Sequence, residues 1–324
     1  MALQHFLLSP KSRTLTLRAV YAMGEDGAYQ EFCRLRWPET EGEPVCPRCG
    51  CPDSYPMAKR RRFKCVGCAH QFSVTSGTAL ANRKLPYCDL LAAMLIFVNA
   101  AKGEAAIRMS HHLGKHYKTA WVLAHKLREA MGLEAQDRLL GTAGVVEIDG
   151  MYVGGYLKPA NHEADRIDRR LAKNRTGKRQ TVAVMRERGG KSLAFVAPSE
   201  AASVPMIRRH LADGATVFAD EGTAWDALEW SHETRRVNHS IQYYDKGVCT
   251  NQAESYNSRL RRAEIGVHHR ISGNNLDSYA TEMAWREDYR RVDNGRKVAL
   301  LASAVLQGPV SRRWSKYWQR HLAK

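Results

Sequence analysis

The stretch VVEIDGMYVGG, residues 145–155, alternates apolar and polar residues and closes on a pair of glycines, which reads as a central β-strand with Asp149 at its middle. The residues that follow keep a regular rhythm. TVAVMRERGGKSLAFVAP, residues 181–198, reads as a hairpin turning at Gly189 and Gly190, and SEAASVPMIRRHL, residues 199–211, as a helix opened by Ser199. TVFADE, residues 216–221, is a short buried strand ending in Asp220, TAWDALEW, residues 223–230, is helical, and another strand is expected around TRRVNHS, residues 234–240. TNQAESYNSRLRR, residues 250–262, is a polar amphipathic helix whose one carboxylate, Glu254, stands among amides, hydroxyls and arginines.

Three strands, helix, strand, helix, strand, helix is an α/β arrangement around a mixed sheet, and it is the order of the ribonuclease-H-like fold. In such a sheet the strands carrying Asp149 and Asp220 are neighbours. Their carboxylates would meet at one edge, with Glu254 brought across by the last helix. Three hard oxygen ligands of this kind can hold two Mg2+ ions roughly 3.5–4 Å apart, one activating an attacking oxygen and the other stabilising a leaving one. Helical spacing sets Ser258 and Arg261 on the face of Glu254, where Arg261 could clamp a phosphate. Glu147, on the strand face of Asp149, and Glu221, next to Asp220, are candidates to assist.

Upstream, Cys46 and Cys49 pair with Cys65 and Cys68 in the spacing C-x2-C-x15-C-x2-C, which suits two knuckles around a tetrahedral structural Zn2+. Cys51 could stand in for Cys49, while Cys33, Cys88 and Cys249 read as isolated core residues. Between the knuckles KRRRFK, residues 59–64, is either a solvated strand face or a phosphate-contacting surface. From Tyr87 to Met131 no proline interrupts a helical pattern, and HLGKHYKTAW, residues 112–121, places a glycine between helices expected at Glu104–His112 and His116–Arg128. That suits a helix-turn-helix presenting His116, Lys118, Thr119 and Lys126, or a plain helical hairpin.

Lys and Arg number 50 against 33 Asp and Glu, a formal charge of +17 over 324 residues that favours polyanionic partners, nucleic acid first. Two basic tracts fit a DNA path: residues 158–179, in a loop between the first two strands, and the tail SRRWSKYWQRHLAK, residues 311–324. The tail, with Trp314 and Trp318 four apart, reads as an amphipathic helix on a second protomer or on DNA, or as a segment packed on its own core. LLAAMLIFVNAA, residues 90–101, is well short of the ~20 residues needed to span a bilayer and reads as a buried helix. The start, MALQHFLLSPKSR, carries no secretory pattern, so a cytoplasmic location with reduced cysteines is expected, and no membrane partner.

Taken in order, LRWPE, CPRCG, CVGC, FSVTSGT, KTAW, VEIDG with its following Tyr and Gly-Gly, ADEGTAW, TNQAES and GVHHRIS resemble the bacterial insertion-sequence transposases that join an N-terminal zinc ribbon to an ISXO-like DDE domain, over residues 31–291. The resemblance implies a DNA transposase that binds terminal inverted repeats, cleaves strands with two Mg2+ ions and joins the freed 3′-OH to target DNA. It implies double-stranded DNA as partner, a homo-oligomer of at least two protomers, and Asp149, Asp220, Glu254 and Arg261 as site residues. Arg261 stands where lysine is more usual, Gly150 replaces an acid often found beside the first aspartate, and Asn257 stands where an aromatic is common. His268 and His269 match a family motif and could touch DNA or pack at the surface. The expected divisions are residues 1–80 for the N-terminal segment and ribbon, 81–140 for the helical DNA-binding region, 141–300 for the catalytic domain and 301–324 for the tail. A stand-alone ribonuclease-H-like nuclease and a DNA-binding regulator without catalysis are the alternatives.

Overall fold

Residues 5–57, 60–154, 160–167, 179–238 and 247–319 are described in a computed structural model of the chain. By contact the chain divides into two units, residues 1–134 with 289–324 and residues 135–288. The ribbon and the helical region therefore share one unit, and the end of the expected 141–300 segment belongs to it as well.

In the first unit, α1 (Leu17–Ala22) starts where the Thr16 side chain caps the Ala19 N–H, and α2 (Gly24–Arg36) follows. Strands β1 (Ser54–Met57), β2 (Arg62–Cys65) and β3 (Gln71–Phe72) form an antiparallel sheet in that order. Trp37, Phe63 and Phe72 meet with ring centroids 5.6–6.3 Å apart, giving the ribbon a small aromatic core beyond its cysteines. Helix α3 (Tyr87–Asn99) is buried on nearly every side, as the apolar run implies, and no helix among the described residues is long and apolar enough to cross a membrane.

Helices α4 (Ala106–Leu113) and α5 (Tyr117–Leu133) are joined through Gly114, whose left-handed backbone (φ 59°) turns the chain and lets its N–H close on α4. Helix α4 starts two residues later than expected, and Glu104 instead pairs with Arg108 at 2.6 Å. His116 caps α5 by accepting from the Lys118 N–H at 3.1 Å, and α5 runs on to Leu133. His116, Lys118 and Thr119 are exposed as expected; Lys126 is half-buried instead, and burial pushes its ammonium pKa down. The C-terminal helix, Asn294–Gln307, packs on α2, α3 and α5. Beyond it the tail does not continue as an amphipathic helix: Trp314 is buried, its ring stacked on His125 at 4.0 Å, and Lys316 takes a left-handed backbone (φ 53°) that ends any helix there. Lys118 sits 5.3 Å from the Trp318 ring, so the tail packs on its own unit.

In the second unit, β5 (Gln180–Glu187) pairs antiparallel with both β4 (Val146–Val153) and β6 (Ser192–Ala197), and Gly189 (φ +74°) makes the predicted hairpin turn. Helix α6 (Glu200–Arg209) is capped by Ser199 at the Ala202 N–H. Strand β7 (Thr216–Asp220) lies parallel to β4, and β8 (Glu233–Val237) parallel to β7, giving the order β6-β5-β4-β7-β8 with β4 central. Helices α7 (Asn251–Ala263) and α8 (Leu276–Asp288) complete the unit. The two-residue period of β4 divides the core. Val146 and Ile148 pack with Val204 and Ile207 of α6, whereas Met151 and Val153 pack with Tyr256 and Leu260 of α7 on the other face. Most of the expected basic loop, residues 158–179, lies outside the described residues, as do Lys59 and residues 320–324.

Candidate active site and metal centre

Parallel pairing of β4 with β7 sets Val146 opposite Val217 and Glu147 opposite Phe218, an offset of 71 residues. Two residues further along the same offset, Asp149 comes level with Asp220, the last residue of β7. Side-chain alternation then turns both aspartates to the face covered by α7. Asp220 is held by the Gly222 N–H, which donates to Oδ1 at 3.1 Å.

Glu254 arrives from the first turn of α7, and the helix end that carries it is fastened by Glu147. This side chain is fully buried. Its Oε2 accepts from the Gln252 and Ala253 N–H groups at 2.7 and 3.2 Å, satisfying donors that a helix N-terminus leaves unpaired. Its Oε1 accepts from Arg188 Nε at 2.7 Å, and Arg188 donates onward to the Gly247 and Cys249 carbonyls at 3.1 and 3.0 Å. Glu147 thus joins the strand of Asp149 to the helix of Glu254 without facing solvent, which makes it an anchor rather than an assisting acid. Cys249 is half-buried with its sulfur beside Arg188 at 2.8 Å, not a plain core residue.

Asp149 Oδ1 accepts from the Gly150 N–H at 2.7 Å and Oδ2 from Asn257 Nδ2 at 2.8 Å. Burial pushes its pKa up to about 6 against those two hydrogen bonds, and the charges of Asp220 and Glu254 push the same way. Asp149 therefore feels the charges of both other acids. Asn257 is buried, and its Oδ1 has no hydrogen-bond partner. These side chains supply hard oxygens of the kind a divalent cation of the Mg2+ class takes, but among the described residues it is the four ribbon cysteines whose ligand atoms are gathered as closely as a metal site requires.

Other expected residues lie further out. Arg261 is exposed on α7 and close enough to Glu264 to oppose the burial that raises that acid's pKa. Ser258 receives a hydrogen bond from Arg262. Glu221 is exposed past the end of β7. His268 packs edge-on against Tyr279 at 4.6 Å, and His269 is exposed. One acid escaped the sequence reading: Glu200, at the start of α6, whose carboxyl lies over Gly150 and feels the charge of Asp220. An acid in the first turn of a helix reads as a dipole partner. The signal that could have found it is the bare backbone of Gly150.

The cysteines of the ribbon form the metal-holding cluster among the described residues. Sulfurs of Cys46, Cys49, Cys65 and Cys68 all lie within 4.8 Å of one another, with Cys46 to Cys68 at 3.7 Å and Cys49 to Cys65 at 3.5 Å. Thiolates around tetrahedral Zn2+ stand about 3.8 Å apart, so the four fit that ion. Cys51 is outside the group, its thiol directed at the Asp53 carbonyl, which resolves the choice in favour of Cys49. Although burial opposes ionisation of Cys46, the Arg48 and Cys49 N–H groups and the neighbouring thiols bring its pKa down to about 7. Arg61 is engaged with Glu25 and Asp26, but Arg60 and Arg62 line a cleft of about 840 Å³ with His70, Ser73, Ser76 and Arg83.

The family model of the ISXO2-like transposase domain matches residues 141–288, and that of the transposase zinc-ribbon domain matches residues 23–71. The chain belongs to the insertion-sequence transposases. No curated protein and no solved structure matches it. In this transposase the first match ends with α8, as the second unit does, and the ribbon match takes in α2 and all four clustered cysteines.

Two outcomes follow from these sites. Elemental analysis of protein purified without added zinc should find one Zn2+ per chain, lost when Cys65→Ser is combined with Cys68→Ser; unchanged zinc content in the double variant would rule out the four-thiolate site. The second concerns Asp149, whose folded-state pKa of about 6 lies above its ordinary 3.8. That proton stabilises the fold fully at pH values under 3.8, and the contribution is lost as pH rises through about 6, leaving a buried charge at neutrality. Asp149→Asn should therefore raise urea stability by ~3 kcal/mol at pH 7.5 in magnesium-free buffer, with the gain vanishing near pH 4.

Proposed function

We propose that this transposase binds the terminal inverted repeats of its element and catalyses metal-dependent strand cleavage followed by strand transfer into target DNA. The carrying observation is the alignment of Asp149 with Asp220 across parallel strands, with the helix of Glu254 anchored beside them. The strand order, three antiparallel strands and two parallel ones between α6 on one face and α7 and α8 on the other, supports a ribonuclease-H-like fold.

Asp149, Asp220 and Glu254 would hold two Mg2+ ions. When bound, these ions lower the pKa of an attacking hydroxyl and stabilise the departing oxygen. Asn257 keeps the Asp149 carboxylate oriented, Glu147 fixes the approach of Glu254, and exposed Arg261 takes up a phosphate of the bound strand. Water attacks the phosphodiester at the element end, the bond to the 3′ oxygen breaks, and that 3′-OH then attacks a phosphodiester of the target. One site serves both steps because only the nucleophile changes. A structural Zn2+ shapes the ribbon, and its arginine-lined cleft together with the exposed face of α5 contacts double-stranded DNA. Two ends must be handled together, so a homo-oligomer on DNA at the cytoplasmic nucleoid is the working form.

The test is cleavage of a labelled element end in Mg2+ at saturating protein, with binding to the same DNA measured alongside. Asp149→Asn, Asp220→Asn and Glu254→Gln should each reduce cleavage to background while binding persists. Arg261→Ala should cost less, about 10²-fold at most, because it positions rather than supplies the ligand set. Near-normal cleavage by either aspartate variant would contradict the proposal.

A further inference from the structure

Arg83 carries a charge that the fold does not balance. It follows Asn82, whose left-handed backbone (φ 59°) turns the chain shortly before α3. Its guanidinium carbon lies 3.4 Å from the centroid of the buried Tyr87 ring, and a terminal nitrogen donates to the Leu85 carbonyl. Arg83 Nε, however, is buried without a hydrogen-bond partner, and among the described residues no carboxylate pairs with the side chain. A half-buried guanidinium of this kind leaves a donor unused and a charge unbalanced, and an anion would satisfy both.

Two further cations share its surroundings. Arg60 and Arg62 line the same cleft as Arg83, and both are exposed with no ion pair among the described residues. Asp26 is the one acid among the described residues of the lining, and Arg61 holds it in an ion pair. Glu25, beside it, accepts from the Tyr87 and Cys88 N–H groups at 2.9 and 3.0 Å and pairs with Arg61 at 3.2 Å, which fixes the start of α3 and with it the ring against Arg83. The Ser73 and Ser76 hydroxyls, 3.2 Å apart, add donors to the lining. The cleft is therefore rich in cations and donors, and its acid is neutralised.

Shape decides which part of a duplex such a cleft can take. Base edges lie at the floor of a groove ~8.5 Å deep, where a protruding helix or ribbon reaches them. A concave surface meets the ridge instead, and the ridge carries the phosphates. Telling base pairs apart also calls for acceptors as well as donors, whereas here arginines, which only donate, predominate and the carboxylate is occupied. We propose that this cleft seats the sugar–phosphate backbone of one DNA strand without reading sequence, with Arg83 as its fixed cation and Arg60 and Arg62 as the outer ones. The proposal rests on the DNA-binding reading above and deepens it: the ribbon cleft supplies affinity for any duplex, and selection of the element end falls to other surfaces.

The decisive experiment is equilibrium binding of the full-length protein to a fluorescent duplex carrying the element end and to a scrambled duplex of the same length, each over a range of salt. Arg83→Gln should weaken binding to both duplexes by the same factor, about 10-fold, and lower the log–log salt slope by about 0.9. Arg60→Gln combined with Arg62→Gln should lower that slope by about 1.8, and Arg83→Lys, which keeps the charge, should retain the wild-type slope. Because Arg60 and Arg62 are exposed, their double variant tests the cleft even if Arg83→Gln disturbs packing on Tyr87. Weakening confined to the element-end duplex would mean base readout and overturn the proposal. Wild-type affinity and slope in the double variant and in Arg83→Gln, with both duplexes bound tightly, would take the cleft out of the DNA path and leave the DNA-binding reading standing. A wild-type protein that binds neither duplex overturns both.

Discussion

One buried carboxylate, that of Glu147, decides whether this sheet can be a catalytic platform. Its two oxygens are divided between the N-terminus of α7 and the guanidinium of Arg188, which in turn gathers the carbonyls of Gly247 and Cys249. A buried charge is tolerable only when each lone pair is used, and breaking such a pair costs about 3–5 kcal/mol. The anchor is thus strong on the scale of a domain's whole stability. Arg186 adds a second hold, donating to the Gln252 carbonyl at 3.2 Å and pairing with Glu287 of α8 at 2.6 Å. Between them these pairs fix the height at which α7 begins, and with it the place of Glu254.

The site built on that anchor works against stability. Asp149 and Asp220 are level because two parallel strands share a 71-residue offset, and the anchored helix adds a third acid. Asp149 accepts two hydrogen bonds and still resists ionisation, because burial and its neighbours outweigh them. Under the proposed metal-dependent function, a divalent cation would relieve this repulsion and couple its binding to the order of the site. The ribbon solves a different problem with the same physics: four thiols held within 4.8 Å organise a segment whose core is little more than Trp37, Phe63 and Phe72.

Much of this was legible because it is local. The period of residues 145–155, the Gly189-Gly190 turn, the Ser199 cap and the cysteine spacing each express a short-range rule, and the elements fall where those rules place them. What could not be read depends on burial and on contacts distant in sequence. Glu147 looks like any acid on a strand until α7 is seen to end on it, and Glu200 looks like a helix-start acid until α6 is seen to bring it over Gly150. The C-terminal helix continues the pattern before it, yet packs on α2, α3 and α5. The tail has helical spacing of its tryptophans, but burying Trp314 against His125 and the left-handed Lys316 outweigh it. Lys126 follows the exposed period of α5 and is covered all the same.

The central claim is that three distant segments of the chain meet at one divalent-cation site. Fe2+ introduced in place of Mg2+, with ascorbate and peroxide, generates hydroxyl radicals that cut the polypeptide close to the bound metal. Mapping those cuts in the full-length protein should find them near residues 149, 220 and 254 together, all suppressed by excess Mg2+. Cuts at one of these segments alone, or at none of them, would contradict a shared site.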